Sequence, residues 1–425
     1  MGQPVRVGIL GCGNVGGPLV ELLQQQGDDI AARTGLQLEV AAVAVRSASK
    51  ERSVELPDGV LTTDAAAVVN DPSIDVIVEL IGGIEPARTL ISQALDARKP
   101  VVTGNKELLA NFGAELFDNA HLAGVDLLFE AAVAGGIPLI RPLRESLAGE
   151  RIRRVMGIVN GTTNYILTRM TEDGVSYGDA LAEAQSLGFA ERDPTADVEG
   201  FDAGAKAAII ASIAFGARVV AGDVYHEGIS GITEADIAYA KRLGYVVKLL
   251  AIVESVDNAI GVRVHPAMVP VSHPLASVRE SYNAVFIEGE AVENLMFYGR
   301  GAGGFPTASA VLGDLIDASA NLRKGSSATI GTLASTPIRP IDDAMCEYYL
   351  NLEVADRPGV LAAVAGVFGR HEVSIRTMEQ EGLGDEARLI FITHVAREAD
   401  VQATLRDLRD LDVVDRVVSL LRVIS

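Results

Sequence analysis

The side chains best suited to chemistry crowd one short loop. Between Gly188 and Lys206 the chain carries Glu191, Asp193, Asp197, Glu199 and Asp202, and then a lysine. Such a run is usually a solvated acidic turn, but this one leads straight into the uncharged stretch Ala207 to Ala217, which draws its last members toward an interior. Asp202 and Lys206 stand four apart, hence on one face of a helix, where the aspartate can hold the ammonium by a charge-assisted bond. Burial lowers a lysine pKa from about 10.4 toward neutrality, and a lysine so tuned moves protons.

A second constellation opens the chain. Gly11, Gly13 and Gly16, with Asn14 and Val15 between them, follow the apolar run Val5 to Leu10 and precede a helix-like segment through Gln25. The spacing alone is a weak signal, but between a strand and a helix the backbone amides and the helix dipole hold a pyrophosphate. A later strand ends in Ala44-Val45-Arg46-Ser47, with Lys50 beyond, and offers no carboxylate there. Cations at that position favour NADP through its 2′-phosphate, with NAD as a second acceptor, unless the loop is simply solvated. Lys106, in Thr103-Gly104-Asn105-Lys106, falls at the carboxyl edge of the sheet, where it can donate to substrate or cofactor.

These groups need a frame. Strands at Leu38 to Val45, Val76 to Ile81 and Pro100 to Thr103, alternating with Ala-rich helical segments, predict an α/β domain over 1–130, a Rossmann-type doubly wound parallel sheet. Past Phe129 a strand, Arg151 to Val159, and helices at Asn164 to Thr171, Ser176 to Leu187 and Asp202 to Ala217 predict a mixed α/β catalytic and dimerisation domain over 131–300. Gly301-Ala302-Gly303-Gly304 opens a helix, Thr307 to Arg323, expected to return residues 301–325 to the first domain. Residues 326–345, rich in Ser, Thr, Gly and Pro, read as a linker. The tail, 346–425, alternates strand, helix, two strands, helix and strand, a ferredoxin-like βαββαβ unit if Ser374 to Gln380 is a strand.

Bulk properties narrow the function further. A chain of 425 residues is expected to form two or three domains. Its net charge of −21 gives nucleic acid and anionic membranes no electrostatic footing and favours a small-molecule partner. Cys12 and Cys346 form no CxxC pair, so neither a disulfide framework nor a thiolate zinc site is encoded. The opening residues show no charged-then-apolar leader, and Arg6 stands where a myristoylation motif wants Ser or Thr. Ala207 to Ala217 is well short of the roughly 20 residues of a membrane span. A cytoplasmic enzyme is the expectation.

The string from Ala184 through Gly188, Pro194, Asp197, Gly200 and Asp202 to Lys206 resembles the signature of homoserine dehydrogenases. The resemblance extends over residues 5 to 325, through the glycine loop, Glu79-Leu80-Ile81-Gly82-Gly83, Thr103-Gly104-Asn105-Lys106 and Asn160-Gly161-Thr162-Thr163-Asn164. It implies NADP-dependent hydride transfer between L-homoserine and L-aspartate 4-semialdehyde in a homodimer or homotetramer. Lys206 would then give the proton to the developing alkoxide, and Lys106 would bind cofactor and orient substrate. Glu191 and Asp202 would hold the substrate, with Asp197 and Thr162 supporting them, and Gly188 and Gly303 would join the cofactor site. Similar enzymes bind a monovalent cation, Na⁺ or K⁺, through Glu130 and the carbonyls of Val133, Gly135 and Ile137, although the spacing alone suggests a hinge.

The tail resembles an ACT domain, marked by Asp356-Arg357-Pro358-Gly359-Val360-Leu361, where glycine permits a tight backbone approach. That resemblance implies an amino-acid effector such as L-threonine, or else a dimerisation module without a ligand. His265 and His273, each before a proline, read as structural loop residues, since no ligand-like spacing accompanies them. A catalytically silent amino-acid sensor is the competing reading, and intact Asp202 and Lys206 speak against it. Another semialdehyde oxidoreductase is disfavoured because neither cysteine is placed as a nucleophile.

Overall fold

Val5–Leu10 form β1, apolar and almost wholly buried, as a strand covered on both faces of a parallel sheet must be. The computed structural model describes residues 3–328, 330–382 and 386–424; Met1 and Gly2, where the lipidation motif would begin, lie outside them. Five further strands follow: β2 (Leu38–Ala44), β3 (Leu61–Thr62), β4 (Val76–Glu79), β5 (Val101–Thr103) and β6 (Leu127–Leu128). They alternate with α1 (Gly16–Thr34), α2 (Ala65–Asn70), α3 (Ala87–Asp96) and α4 (Lys106–Ala123). Every pairing is parallel and the order is β3-β2-β1-β4-β5-β6, a doubly wound sheet whose direction of growth reverses beside β1. Helix α1 runs beyond Gln25: Gly27 does not end it because Ile30 is still buried in the core, and it stops at Gly35, where φ is 73°.

The middle of the chain supplies β7 (Ile152–Ile158), α5 (Gly161–Asp173), α6 (Tyr177–Ser186), α7 (Thr195–Val198) and α8 (Phe201–Phe215). Next come β8 (Tyr225–His226), α9 (Glu234–Arg242), β9 (Tyr245–Val256), β10 (Ala259–Pro270), β11 (Tyr282–Gly289), β12 (Asn294–Arg300) and α10 (Gly304–Lys324). The tail adds β13 (Met345–Ala355), α11 (Val360–Arg370), β14 (Ile375–Gly382), β15 (Glu386–Thr393), β16 (Ala396–Arg397), α12 (Glu398–Arg409) and β17 (Val414–Val423). Among the described residues no helix is long and apolar enough to cross a membrane.

Two compact units result. The first holds Met1–Val155, Ala205–Val224 and Asn283–Thr336. In it Val311, Leu312 and Leu315 of α10 join Val7 and Ile9 of β1 and Leu19, Val20 and Leu23 of α1 in one core. The second holds Met156–Gly204, Tyr225–Tyr282 and Pro337–Ser425. Its ladder contains a long hairpin, β9 against β10, turning on Asp257 and Asn258 at φ 50° and 62°, the left-handed pair of a type I′ turn. Sequence reading misses this hairpin because both strands are apolar on both sides and show no alternation.

The ladder continues β10-β17-β13-β15-β14, with β17 parallel to β10 and the rest antiparallel. The tail is thus the expected βαββαβ unit. On one sheet face Tyr348, Leu350 and Leu352 pack with Val364 and Phe368 of α11 and Leu405 and Leu408 of α12. The alternate residues face α9: Asp236 accepts from Tyr349 Oη at 3.2 Å, Asn351 Nδ2 at 3.3 Å and Ser419 Oγ at 2.5 Å. The segment expected as a linker is tied down in each unit. Ala334 N–H donates to Gly216 O at 2.7 Å in the first, and Ile260 N–H donates to Pro337 O at 2.9 Å in the second.

Candidate active site

At the end of β1 the chain turns on glycines for two different reasons. A Cβ on Gly11 (φ 102°) would lie 2.5 Å from Leu80 O, and one on Gly16 would lie 2.1 Å from Gly11 O, so the protein's own backbone excludes side chains there. A Cβ on Gly13 would meet nothing within 4 Å. That space opens into a cavity of about 1000 Å³ lined by Gly11, Gly13, Asn14, Arg46, Lys50 and Arg52, among others. Gly303 caps α10 at φ 128°, but its neighbour Gly304 lines the cavity and approaches closest: a Cβ on Gly304 would lie 2.6 Å from Asn14 O. Arg52, which sequence reading passes over, donates to the carbonyls of Ser47, Ala48 and Lys50 at 2.6, 3.1 and 2.8 Å and so shapes the loop beyond Arg46. Three cations against the single carboxylate of Glu51 suit a phosphorylated ribose. The cradle and its lining fit a dinucleotide.

A neighbouring cavity of about 420 Å³ is lined by Gly13, Asn14, Val15, Gly82, Gly104 and Asn105, with others. Its walls hang on Glu79, fully buried at the end of β4. Glu79 Oε1 accepts from the N–H groups of Ile81 and Gly82 at 2.7 and 3.2 Å, and Oε2 accepts from Thr103 Oγ1 at 2.6 Å. Asn105 Nδ2 donates to Gly83 O at 2.7 Å, while its Oδ1 accepts from Leu108 N–H at 3.1 Å and caps α4. Lys106, the first residue of α4 and exposed, is therefore set by this network.

Glu130 is buried, and its carboxylate accepts from the N–H groups of Leu139, Ile140 and Arg141 at 2.5, 2.7 and 2.8 Å. Asp314, pushed up to about 7 by burial, accepts from Glu130 N–H at 2.7 Å. Ala134 and Gly135 both take positive φ, 57° and 54°. Among the described residues, main-chain N–H groups here donate to the carbonyls of Phe129, Glu130, Ala134 and Arg300, and none donates to those of Val133, Gly135 and Ile137. Hard oxygens of that kind suit an alkali cation. Among the described residues no group of three or more His, Cys, Asp or Glu side chains could hold a metal.

In the second unit Asn160 gathers the acidic loop. Its Nδ2 donates to Asp197 at 2.7 Å and to Asp202 at 2.9 Å, while its Oδ1 accepts from Thr163 N–H at 2.9 Å and caps α5. Thr162 Oγ1 donates to Phe189 O at 2.6 Å and holds the loop after Gly188, which takes φ 76°. Glu191 is exposed, its carbonyl accepting from Gln185 Nε2 at 3.0 Å. Lys206 lies one turn beyond Asp202 in α8, in the part of that helix counted with the first unit, and both are buried.

A buried lysine that sequence reading missed, Lys248, donates to Asn164 Oδ1 at 2.9 Å and Val278 O at 2.5 Å; burial pulls it down to about 8. Its signal was a lone cation inside Tyr245–Val256. His265 lies within β10 rather than in a loop, fully buried, and burial holds it well below its ordinary range, while His273 Nδ1 accepts from Leu275 N–H at 3.1 Å. In the tail, Asp356, Arg357, Pro358, Gly359 and Gln380 are among the residues lining a cavity of about 440 Å³, with Gly359 at φ 95° before α11.

Comparison with known proteins finds the same parts. A family profile described as homoserine dehydrogenase matches residues 138–316, its NAD-binding domain profile matches 11–130, and an ACT domain profile matches 348–413. A homoserine dehydrogenase of Corynebacterium glutamicum is 51% identical over 99% of this chain and 96% of its own. The crystal structure of a homoserine dehydrogenase from Thiobacillus denitrificans superposes with a TM-score of 0.94 at 43% identity, covering 100% of this chain and 99% of that one. A hyperthermophilic archaeal homoserine dehydrogenase in complex with NADPH matches 75% of this chain and 98% of its own at TM-score 0.63 and 29% identity.

Proposed function

The chain belongs to the homoserine dehydrogenase family, and we propose that Lys206 moves the proton in its reaction while Asp202, Glu191 and Asp197 hold the substrate. The reaction interconverts L-homoserine and L-aspartate 4-semialdehyde with a nicotinamide nucleotide. When bound in the cradle of Gly11, Gly13 and Gly16, the nicotinamide nucleotide would supply or take up the hydride at the substrate's C4. As the aldehyde is reduced its oxygen gains negative charge, and the Lys206 ammonium gives that oxygen a proton; in oxidation the amine takes it back. Asp202 and Asp197 form an anionic pair for the substrate's ammonium, and Thr162 holds the loop that carries Glu191. Lys106 orients substrate and cofactor from the start of α4.

The observation that supports this reading is the convergence of Asp197 and Asp202 on Asn160. Arg46, Lys50 and Arg52 line the cofactor cavity and support NADP over NAD; Gly188 and Gly303 are proposed as further cofactor residues on the family resemblance alone. Glu130 with the carbonyls of Val133, Gly135 and Ile137 is the proposed Na⁺ or K⁺ site. The turn Asp356-Arg357-Pro358-Gly359 is the proposed seat of L-threonine, and a homodimer or homotetramer is the proposed assembly.

The test is reduction of NADP followed by absorbance, with L-homoserine as sole substrate, in wild type and Lys206→Met. The variant should lose at least about 10²-fold in turnover while titrating NADPH as wild type does. Near-normal turnover in a folded Lys206→Met enzyme would sink the assignment.

A further inference from the structure

A second charged cluster lies outside the site described. Arg422 of β17 is wholly buried, and its guanidinium serves two carboxylates: Nε and Nη2 each meet Glu398 at 2.8 Å, and Nη2 also meets Glu227 at 2.9 Å. Glu398 is satisfied from within the tail, accepting also from Tyr348 Oη at 2.9 Å and Gln402 Nε2 at 2.8 Å. Glu227 instead follows β8, and Tyr225 donates its hydroxyl to the same carboxylate. A planar guanidinium fixes both acids in one geometry, which the single ammonium of a lysine would not do.

The residues after Glu227 carry that constraint to the acidic loop. A Cβ on Gly228 would lie 2.4 Å from Val198 O and 2.7 Å from Glu199 Cα, so the two backbones touch. Ile229 N–H donates to Val198 O at 2.8 Å. A Cβ on Gly200, at φ 83°, would lie 3.3 Å from Glu227 O. Phe201 and His226 pack edge to face with ring centroids 4.5 Å apart. These contacts close on Val198 to Phe201, from the last residue of α7, which carries Asp197, to the first residue of α8, which has Asp202 in its first turn. Close-packed backbone passes a displacement on because it has no slack to absorb it.

We propose that Arg422 is a positioning residue for the substrate carboxylates: through Glu227 it braces the turn 198–200 that sets Asp197 and Asp202. The inference rests on the reading of Asp202 as a substrate ligand. It gives the last strand of the tail a part in substrate binding, and it supplies a physical route by which a change in the tail reaches the loop.

The test compares Glu227→Ala with Asp202→Asn in the full-length enzyme; the Glu227 side chain is 33% exposed, so its truncation leaves no buried void. Glu227→Ala should raise KM for L-homoserine by about 2- to 30-fold, with KM for NADP and the melting temperature unchanged. Glu227→Gln keeps an acceptor for Arg422 and should recover most of the loss. Arg422→Lys keeps a charge opposite Glu398 but cannot serve both acids; it should reproduce the rise, and adding Glu227→Ala to it should raise KM no further. If Asp202→Asn raises the homoserine KM and Glu227→Ala does not, the proposal is overturned and the reading of Asp202 stands. If Asp202→Asn leaves that KM at the wild-type value, the reading falls and the proposal with it. Equal changes in both KM values with a lowered melting temperature would also overturn it, since they mark a merely structural pair.

Discussion

Arg46 lies exposed two residues past the end of β2, in the loop with Lys50 that Arg52 holds by bonds to three carbonyls. The residues therefore divide into one that shapes the loop and two more that line the cavity beside it. Arg46→Asp replaces a phosphate partner with an acceptor for ribose hydroxyls, so the ratio of kcat/KM for NADP over NAD should fall or reverse. The measurement is kcat/KM with both cofactors; an unchanged ratio would show that Arg46 does not read the 2′ position. Arg52→Ala should instead lower kcat/KM for both cofactors, because the loop loses its internal support.

Between residue and fold stands the strand–turn–helix unit of β1, the glycine loop and α1. Its glycines look alike in sequence but answer to different physics. Gly16→Ala pushes a methyl against Gly11 O, which is backbone and cannot step aside, so thermal unfolding should show a loss of about 1–3 kcal/mol. Gly13→Ala meets no protein atom and should leave the melting temperature alone while raising KM for NADPH, because its methyl enters the space left for the pyrophosphate. A destabilised Gly13→Ala protein would show that the loop, not the ligand, needs that glycine. The two variants together separate folding from binding within one turn.

Across the whole molecule the tail is part of the second unit rather than a tethered appendage. β17 continues the ladder beside β10, Asp236 gathers three donors from β13 and β17, and Arg422 reaches Glu227. Titrating L-threonine, then L-methionine and L-isoleucine, against full-length enzyme should lower activity with at least one of them. Inhibition requires that the effector bind one arrangement of the protein better than another; a coupling of about 1–3 kcal/mol gives roughly 5–150-fold in affinity. Deletion from Asp343 onward should leave an active enzyme that no longer responds, and the lost Arg422–Glu227 bond should raise its homoserine KM. A truncated form that responds as the intact one does would place the effector elsewhere.

The sequence by itself determined the glycine turn, the Asp202–Lys206 helical pair, the tail module and the family, because each is written in short spacings. Six residues suffice for a pyrophosphate cradle, and four set Asp202 and Lys206 on one helical face. It did not show which side chains hold those groups in place. Asn160 meets Asp197 and Asp202 across 37 and 42 residues of chain, Glu79 meets Thr103 across 24, and Arg422 meets Glu227 across 195. Lys248 in its apolar strand and the apolar hairpin β9–β10 were equally hidden, since neither shows a period. Such pairings depend on sheet order and register, and on burial that makes an unpaired charge costly. Those are properties of chain segments already brought together, so only the tertiary structure could decide them.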